Sequence, residues 1–179
     1  MALTPHIALL RAVNVGGRKA TSADLRGLMA DLGLEDGQTL LQSGNLVFRG
    51  RKTGAALEAQ IEQAFADRFG FASDVLVRTA AHWRAIVAAN PHSQMAADDP
   101  SHLVVMPLKS APAAAPLARL QGAIQGREVV AAVGRELFIT YPDSIGTSKL
   151  TGAVIERHLS VRGTARNWNT VTKLAAMLD

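Results

Sequence analysis

No cysteine occurs among the 179 residues. That single absence excludes disulfides, thiolate metal sites and cysteine nucleophiles. Aromatic residues make up only 4% of the chain, so its core must be built mainly from Ala, Leu and Val. Few rings are available to stack bases, which counts against a binder of single-stranded nucleic acid. Long apolar runs are missing as well, none approaching the roughly 18 residues of a membrane span. The apolar start Ile7-Ala8-Leu9-Leu10 is closed by Arg11, which suits a strand and not the apolar region of a secretory signal. These absences point to a soluble cytoplasmic protein with no membrane partner.

What is present describes a folded chain. Hydrophobic residues reach 48% and the mean hydropathy is +0.12, well outside a disordered composition. The length suits one domain, or two small subdomains. The net charge is +4 with a pI of about 10.0, and 14 of the 19 basic residues are arginines. Between Lys149 and Lys173 stand Lys149, Arg157, Arg162, Arg166 and Lys173, opposed only by Glu156. A basic surplus concentrated there favours an anionic partner.

Hydrophobic periodicity predicts a strand over His6–Val13, which stops at Asn14-Val15-Gly16-Gly17. Thr21 or Ser22 can cap a helix carrying Leu25, Leu28, Met29 and Leu32, and Gly33 ends it. Strands are predicted at Thr39–Gln42 and Leu46–Arg49, then a helix marked by Leu57, Ile61, Phe65 and Phe69, then a strand over Ser73–Thr79. This β-α-β-β-α-β order over 6–79 is the split βαβ, or ferredoxin-like, arrangement. A short helix over Ala80–Ala89 follows. The polar, turn-rich segment Pro91–Pro100 reads as a connecting loop between a first subdomain, 1–90, and a second, 101–179. The second half reads Leu103–Lys109 strand, Ala113–Gln125 helix, Glu128–Val133 and Glu136–Tyr141 hairpin, Thr151–Leu159 helix and Trp168–Leu178 helix. The expected fold class is therefore α+β. It comprises two ferredoxin-like subdomains in tandem, the second lacking its last strand and ending in a helix.

Three segments then stand together: Leu10-Arg11-Ala12-Val13-Asn14-Val15-Gly16-Gly17, Gln42-Ser43-Gly44-Asn45-Leu46-Val47-Phe48, and Arg166-Asn167-Trp168-Asn169-Thr170-Val171. In this order they resemble the signatures of a bacterial family catalogued as domain of unknown function 1697. The resemblance implies two ferredoxin-like subdomains in one chain and brings no established reaction. One departure is Ala12, where the family often has glycine.

The candidate ligand-binding residues are Arg11, Asn14, Gly16, Gly17, Gln42, Ser43, Asn45, Arg166, Asn167 and Asn169. A loop between a strand and a helix N-terminus suits a phosphate or carboxylate, and Gly16 and Gly17 permit close backbone approach. The spacing matches neither a P-loop nor a dinucleotide fingerprint. Gln42 and Asn45 each offer donors and an acceptor, whereas Ser43 lies in no nucleophile elbow. Arg166 has the fork geometry for gripping an anion. Each also has a structural alternative: turn glycines, a hairpin turn, an Asn167 or Asn169 N-cap, and ion pairs for Arg11 and Arg166. The leading expectation is a small phosphorylated or carboxylated ligand held where the three segments converge at the seam of the subdomains. The alternatives are RNA or DNA binding on a ferredoxin-like sheet, and a metal-independent enzyme using Tyr141, Lys149 or a histidine for proton transfer. His6, His82, His92, His102 and His158 show no ligand spacing, so no metal and no cofactor are expected.

Overall fold

The computed structural model describes residues 2–179. The chain divides into two compact units, one running through Ala85 and including Leu174–Asp179, the other Ile86–Lys173.

The first unit contains β1 (Thr4–Leu10), α1 (Ser22–Asp31), β2 (Glu35–Leu40), β3 (Asn45–Gly50), α2 (Gly54–Phe69), β4 (Val75–Thr79) and the start of α3 (Ala80–Ala88). Its strands form an antiparallel sheet in the order β2-β3-β1-β4. Ala8 lies opposite Leu46 and Val77, so one pleat face carries Ala8, Leu10, Leu46, Phe48, Val75 and Val77. That face packs with Leu25, Leu28 and Met29 of α1 and Leu57, Ile61 and Phe65 of α2. Thr21 starts α1 with a complete capping box: its hydroxyl accepts from the Asp24 N–H and the Asp24 carboxylate accepts from the Thr21 N–H. β2 runs Glu35–Leu40, earlier than the predicted Thr39–Gln42. Its polar, half-exposed residues and the register shift between Glu35 and Gln38 erase the period-2 signal.

β4 is an edge strand, and α2 covers it. The Glu58 carboxylate accepts from Val77 N–H at 2.8 Å, and Glu62 accepts from Val75 N–H at 2.8 Å. Two residues along the strand match four along the helix, so two outward N–H groups gain acceptors.

The second unit holds α4 (Ser93–Asp98), a 3-10 turn (Pro100–His102), β5 (Leu103–Pro107), α5 (Ala114–Ala123), β6 (Val129–Val133), β7 (Glu136–Thr140), α6 (Gly152–Leu159), β8 (Arg166–Asn167) and most of α7 (Trp168–Ala176). Its sheet order is β6-β7-β5-β8, again antiparallel. This corrects the expectation of a missing last strand. β8 pairs Asn167 with Val104 and Arg166 with Val105, but two polar residues are too short to show alternation. Gly163 prepares the approach: a Cβ there would stand 2.4 Å from the Pro107 carbonyl. The connecting loop expected over 91–100 also contains α4, whose run Ser93-Gln94-Met95-Ala96-Ala97-Asp98 is good helix former between flanking prolines. Leu120, Val130, Leu137, Ile139, Leu150, Ile155 and Leu159 are buried in this unit's core. The tail Leu174–Asp179 counts with the first unit, where the Arg84 guanidinium donates to the Asp179 carboxylate at 2.9 Å.

Candidate functional site

In the first unit the structure brings Arg11, Asn14, Gln42, Ser43 and Asn45 together. The Asn14 amide donates to the Gln42 carbonyl at 2.5 Å and accepts from Ala20 N–H at 2.9 Å. Asn14 thus closes its own loop and ties it to the Leu41–Gly44 turn. Asn45 is fully buried and donates to the Leu40 carbonyl and the Ser43 hydroxyl, both at 2.8 Å. Gly44, at φ 76, presses against Leu10, where a Cβ would stand 2.8 Å from the Leu10 Cβ. Arg11 lies 3.6 Å from the Asp74 carboxylate, and its N–H donates to the Asp74 carbonyl. Gly16 and Gly17 take φ 58 and 81, exposed, at the loop's outer bend. The polar groups of these two segments lock the loops to each other.

Arg166, Asn167 and Asn169 belong to the second unit. Arg166 donates to the Thr164 hydroxyl at 2.8 Å and the Ala165 carbonyl at 2.9 Å, and burial brings its guanidinium pKa down to about 10. It stays a cation at neutral pH. The Asn167 side chain accepts from Thr170 N–H at 3.0 Å and so caps α7. Asn169 is exposed in the first turn, and its carbonyl accepts from the Thr172 hydroxyl. Trp168 is buried beside the cap.

The second unit also carries an open cavity of about 480 Å³ that its sequence did not single out. α5 contributes Leu120 and Ala123, with Ile124 just beyond it; Leu150, Val154, Arg157 and His158 come from α6 and its approach; and Asp143–Lys149 forms a strap. Tyr141 anchors that strap, its buried hydroxyl donating to the Leu150 carbonyl at 2.9 Å. Burial, helped by nearby Glu128, raises the phenol to about 12, so Tyr141 is a poor proton donor at neutral pH. The cavity's two carboxylates are already engaged. Glu128 accepts from the Ser148 hydroxyl at 2.5 Å, and Asp143 pairs with the Arg127 guanidinium through both its oxygens. The cations lack an acidic partner among the described residues. Lys149 donates to the Gln125 amide oxygen at 3.1 Å, and among the described residues neither Lys149 nor Arg157 has a carboxylate within ion-pair distance. His158 Nδ1 lies 2.9 Å from the Val154 carbonyl. A carbonyl only accepts, so Nδ1 carries a proton and donates.

The cavity therefore has an aliphatic wall and a cationic rim. It escaped the sequence reading because its walls come from segments that are individually ordinary. Two signals were nonetheless present: the basic stretch beginning at Lys149 and the polar loop after Tyr141. A second cavity, of about 390 Å³, lies in the first unit between β2, β3 and residues 177–179. Its charged groups are paired, Arg49 with Asp36 and Asp179 with Arg84. Among the described residues no cluster of three or more His, Asp or Glu could hold a metal ion, and no helix is long and apolar enough to cross a membrane.

Comparison with known proteins adds a lineage. The family profile described as "Protein of unknown function (DUF1697)" matches residues 3–138. It includes the first two signature segments and ends before the strap and α6. Among solved structures, the conserved bacterial protein SP0830 from Streptococcus pneumoniae is similar, with a TM-score of 0.80 and 23% identity. That match covers 99% of this chain and 100% of the other, and at this identity it speaks for the fold alone. No curated protein matches the chain.

Proposed function

The chain belongs to the DUF1697 family of proteins of unknown function, and from that premise we propose that it binds a small organic anion in the cavity of the second unit. One observation carries this reading. Lys149 and Arg157 rim an apolar-walled cavity in which Asp143 is charge-paired with Arg127 and Glu128 is held by the Ser148 hydroxyl. Among the described residues, two cations therefore face one carboxylate without a charged partner. An anion entering there meets unneutralised positive charge, and its apolar part can leave water. A volume near 480 Å³ lies within the range of small-molecule sites, which is roughly 300–1,000 Å³. The anion-binding role raised by the three signatures is assigned to this cavity, since Asn14, Asn45 and Asn167 have structural tasks.

The reading of the first unit as a ferredoxin-like split βαβ is supported by its element order and by the sheet order β2-β3-β1-β4.

The test is calorimetric titration of the whole protein with a panel of small carboxylates and phosphates, repeated on the double variant Lys149→Gln, Arg157→Gln. Both side chains are exposed, so the fold is expected to tolerate the change. At least one anion is expected to bind and to weaken by tenfold or more in the variant, in line with charge-assisted bonds worth about 1.5–3 kcal/mol each. Silence across the panel, or equal affinity in the variant, rejects the proposal.

A further inference from the structure

Resting on that cavity reading, we propose that the ligand is an aliphatic monocarboxylate, its head at Lys149 and Arg157 and its saturated chain along α5 and α6. The wall decides the tail. Leu120, Ala123, Ile124 and Val154 are all aliphatic, and the lining contains no Phe, Tyr or Trp. A nucleobase or other flat ring would have only His158 and the Arg157 guanidinium to stack upon, whereas a flexible chain fits a wall of methyl groups.

Charge decides the head. The Arg157 fork matches a carboxylate or a phosphate, and Lys149 adds a second positive charge at the rim. Glu128, held among the described residues only by the neutral Ser148 hydroxyl, lines the same space, so a ligand with several negative charges would meet like charge as well as opposite charge. Polyphosphates are generally cradled by unpaired N–H groups at a helix N-terminus. At α6 that terminus is partly closed by its own cap, Thr151 Oγ1 accepting from Val154 N–H at 3.2 Å. One compact negative head on an aliphatic chain fits both halves of the cavity.

The experiment is calorimetric titration of the full chain with butanoate, hexanoate and octanoate, with benzoate, hexyl phosphate and inorganic phosphate as competing classes. Affinity for the alkanoates is expected to rise about fourfold per added methylene until the wall is covered. Arg157→Gln is expected to weaken all three by tenfold or more while keeping that slope. Ala123→Leu, at an exposed helix position in the wall, is expected to weaken octanoate more than butanoate and so lower the gain per methylene. Alkanoate affinity independent of chain length, or stronger binding of benzoate, hexyl phosphate or inorganic phosphate than of hexanoate, overturns the aliphatic monocarboxylate. If those competitors bind and depend on Arg157, the broader anion reading survives. If no anion binds, both fall together.

Discussion

Ala12 adopts φ 56 on an exposed turn, a left-handed conformation in which a Cβ is crowded. This is the position where the resembling family often carries glycine, and the backbone explains that preference. A non-glycine residue in this region costs about 1–2 kcal/mol, while glycine gives some of that back through a freer unfolded chain. Ala12→Gly is therefore expected to raise stability by up to about 1 kcal/mol, read as a higher urea midpoint at unchanged slope. A lower midpoint would mean that the alanine methyl supports the turn. Asn14, at φ 61, is different, because its amide makes the two bonds that close the loop. His6 poses an acid–base question at the same scale. It is fully buried, stacks on Phe48 with ring centroids 5.5 Å apart, and among the described residues no well-formed hydrogen bond reaches either ring nitrogen, only a weak approach of the Thr4 backbone. Burial lowers its pKa below the ordinary histidine value, outweighing an opposing pull from the Thr4 backbone. The unfolded chain then binds the proton more readily, so this stability is present above the unfolded pKa and is lost as pH falls below it. His6→Phe is expected to flatten the drop in stability from about pH 7 to 5, seen in denaturation curves at several pH values. An unchanged slope would assign the acid sensitivity to other groups.

At the scale of elements, α2 and β4 act as one piece. Glu58 accepts from Val77 N–H and lies 3.9 Å from the Arg78 guanidinium, with both side chains buried. Removing its carboxylate takes an acceptor from a buried N–H and a counter-charge from a buried arginine. Glu58→Ala is expected to cost about 3 kcal/mol, at the low end for breaking a buried pair because the separation is long. Glu62→Ala, whose half-buried carboxylate serves Val75 N–H, is expected to cost about 1 kcal/mol. Equal losses in urea denaturation would contradict the ranking. The helix α2 was legible from its spacing of Leu57, Ile61 and Phe65, because a buried stripe imposes helical period on the sequence. Its edge-capping role was not, since a glutamate on a helix looks the same whether it faces water or a strand. β8 escaped for another reason. Its position depends on Gly163 passing the Pro107 carbonyl and on pairing with β5, both long-range contacts that a two-residue window cannot report.

At the scale of the whole molecule, the α+β class and most of the element order were readable because each element repeats its period over several residues. The three signature segments were readable as a resemblance, and the family match agrees with it. What could not be read was the division of labour among polar residues. Asn14, Asn45 and Asn167 look like ligand groups in sequence, yet their amides bond to nearby backbone, and Asn45 also bonds to Ser43. Arg157 and His158 look like ordinary helix-surface residues, yet they line the cavity. Hydrogen exchange separates the two possibilities across the whole chain in one experiment. With a bound anion at about one hundred times its Kd, the cavity gains about 2.7 kcal/mol, and amides that exchange by opening it slow by about a hundredfold. That protection is expected in α5, in α6 and in the strap Asp143–Lys149, with Arg11–Lys19 and Leu41–Asn45 unchanged. Slowing confined to Arg11–Lys19 and Leu41–Asn45 would return the site to the signature loops. It would also mean that their amides serve a ligand in addition to closing the loops.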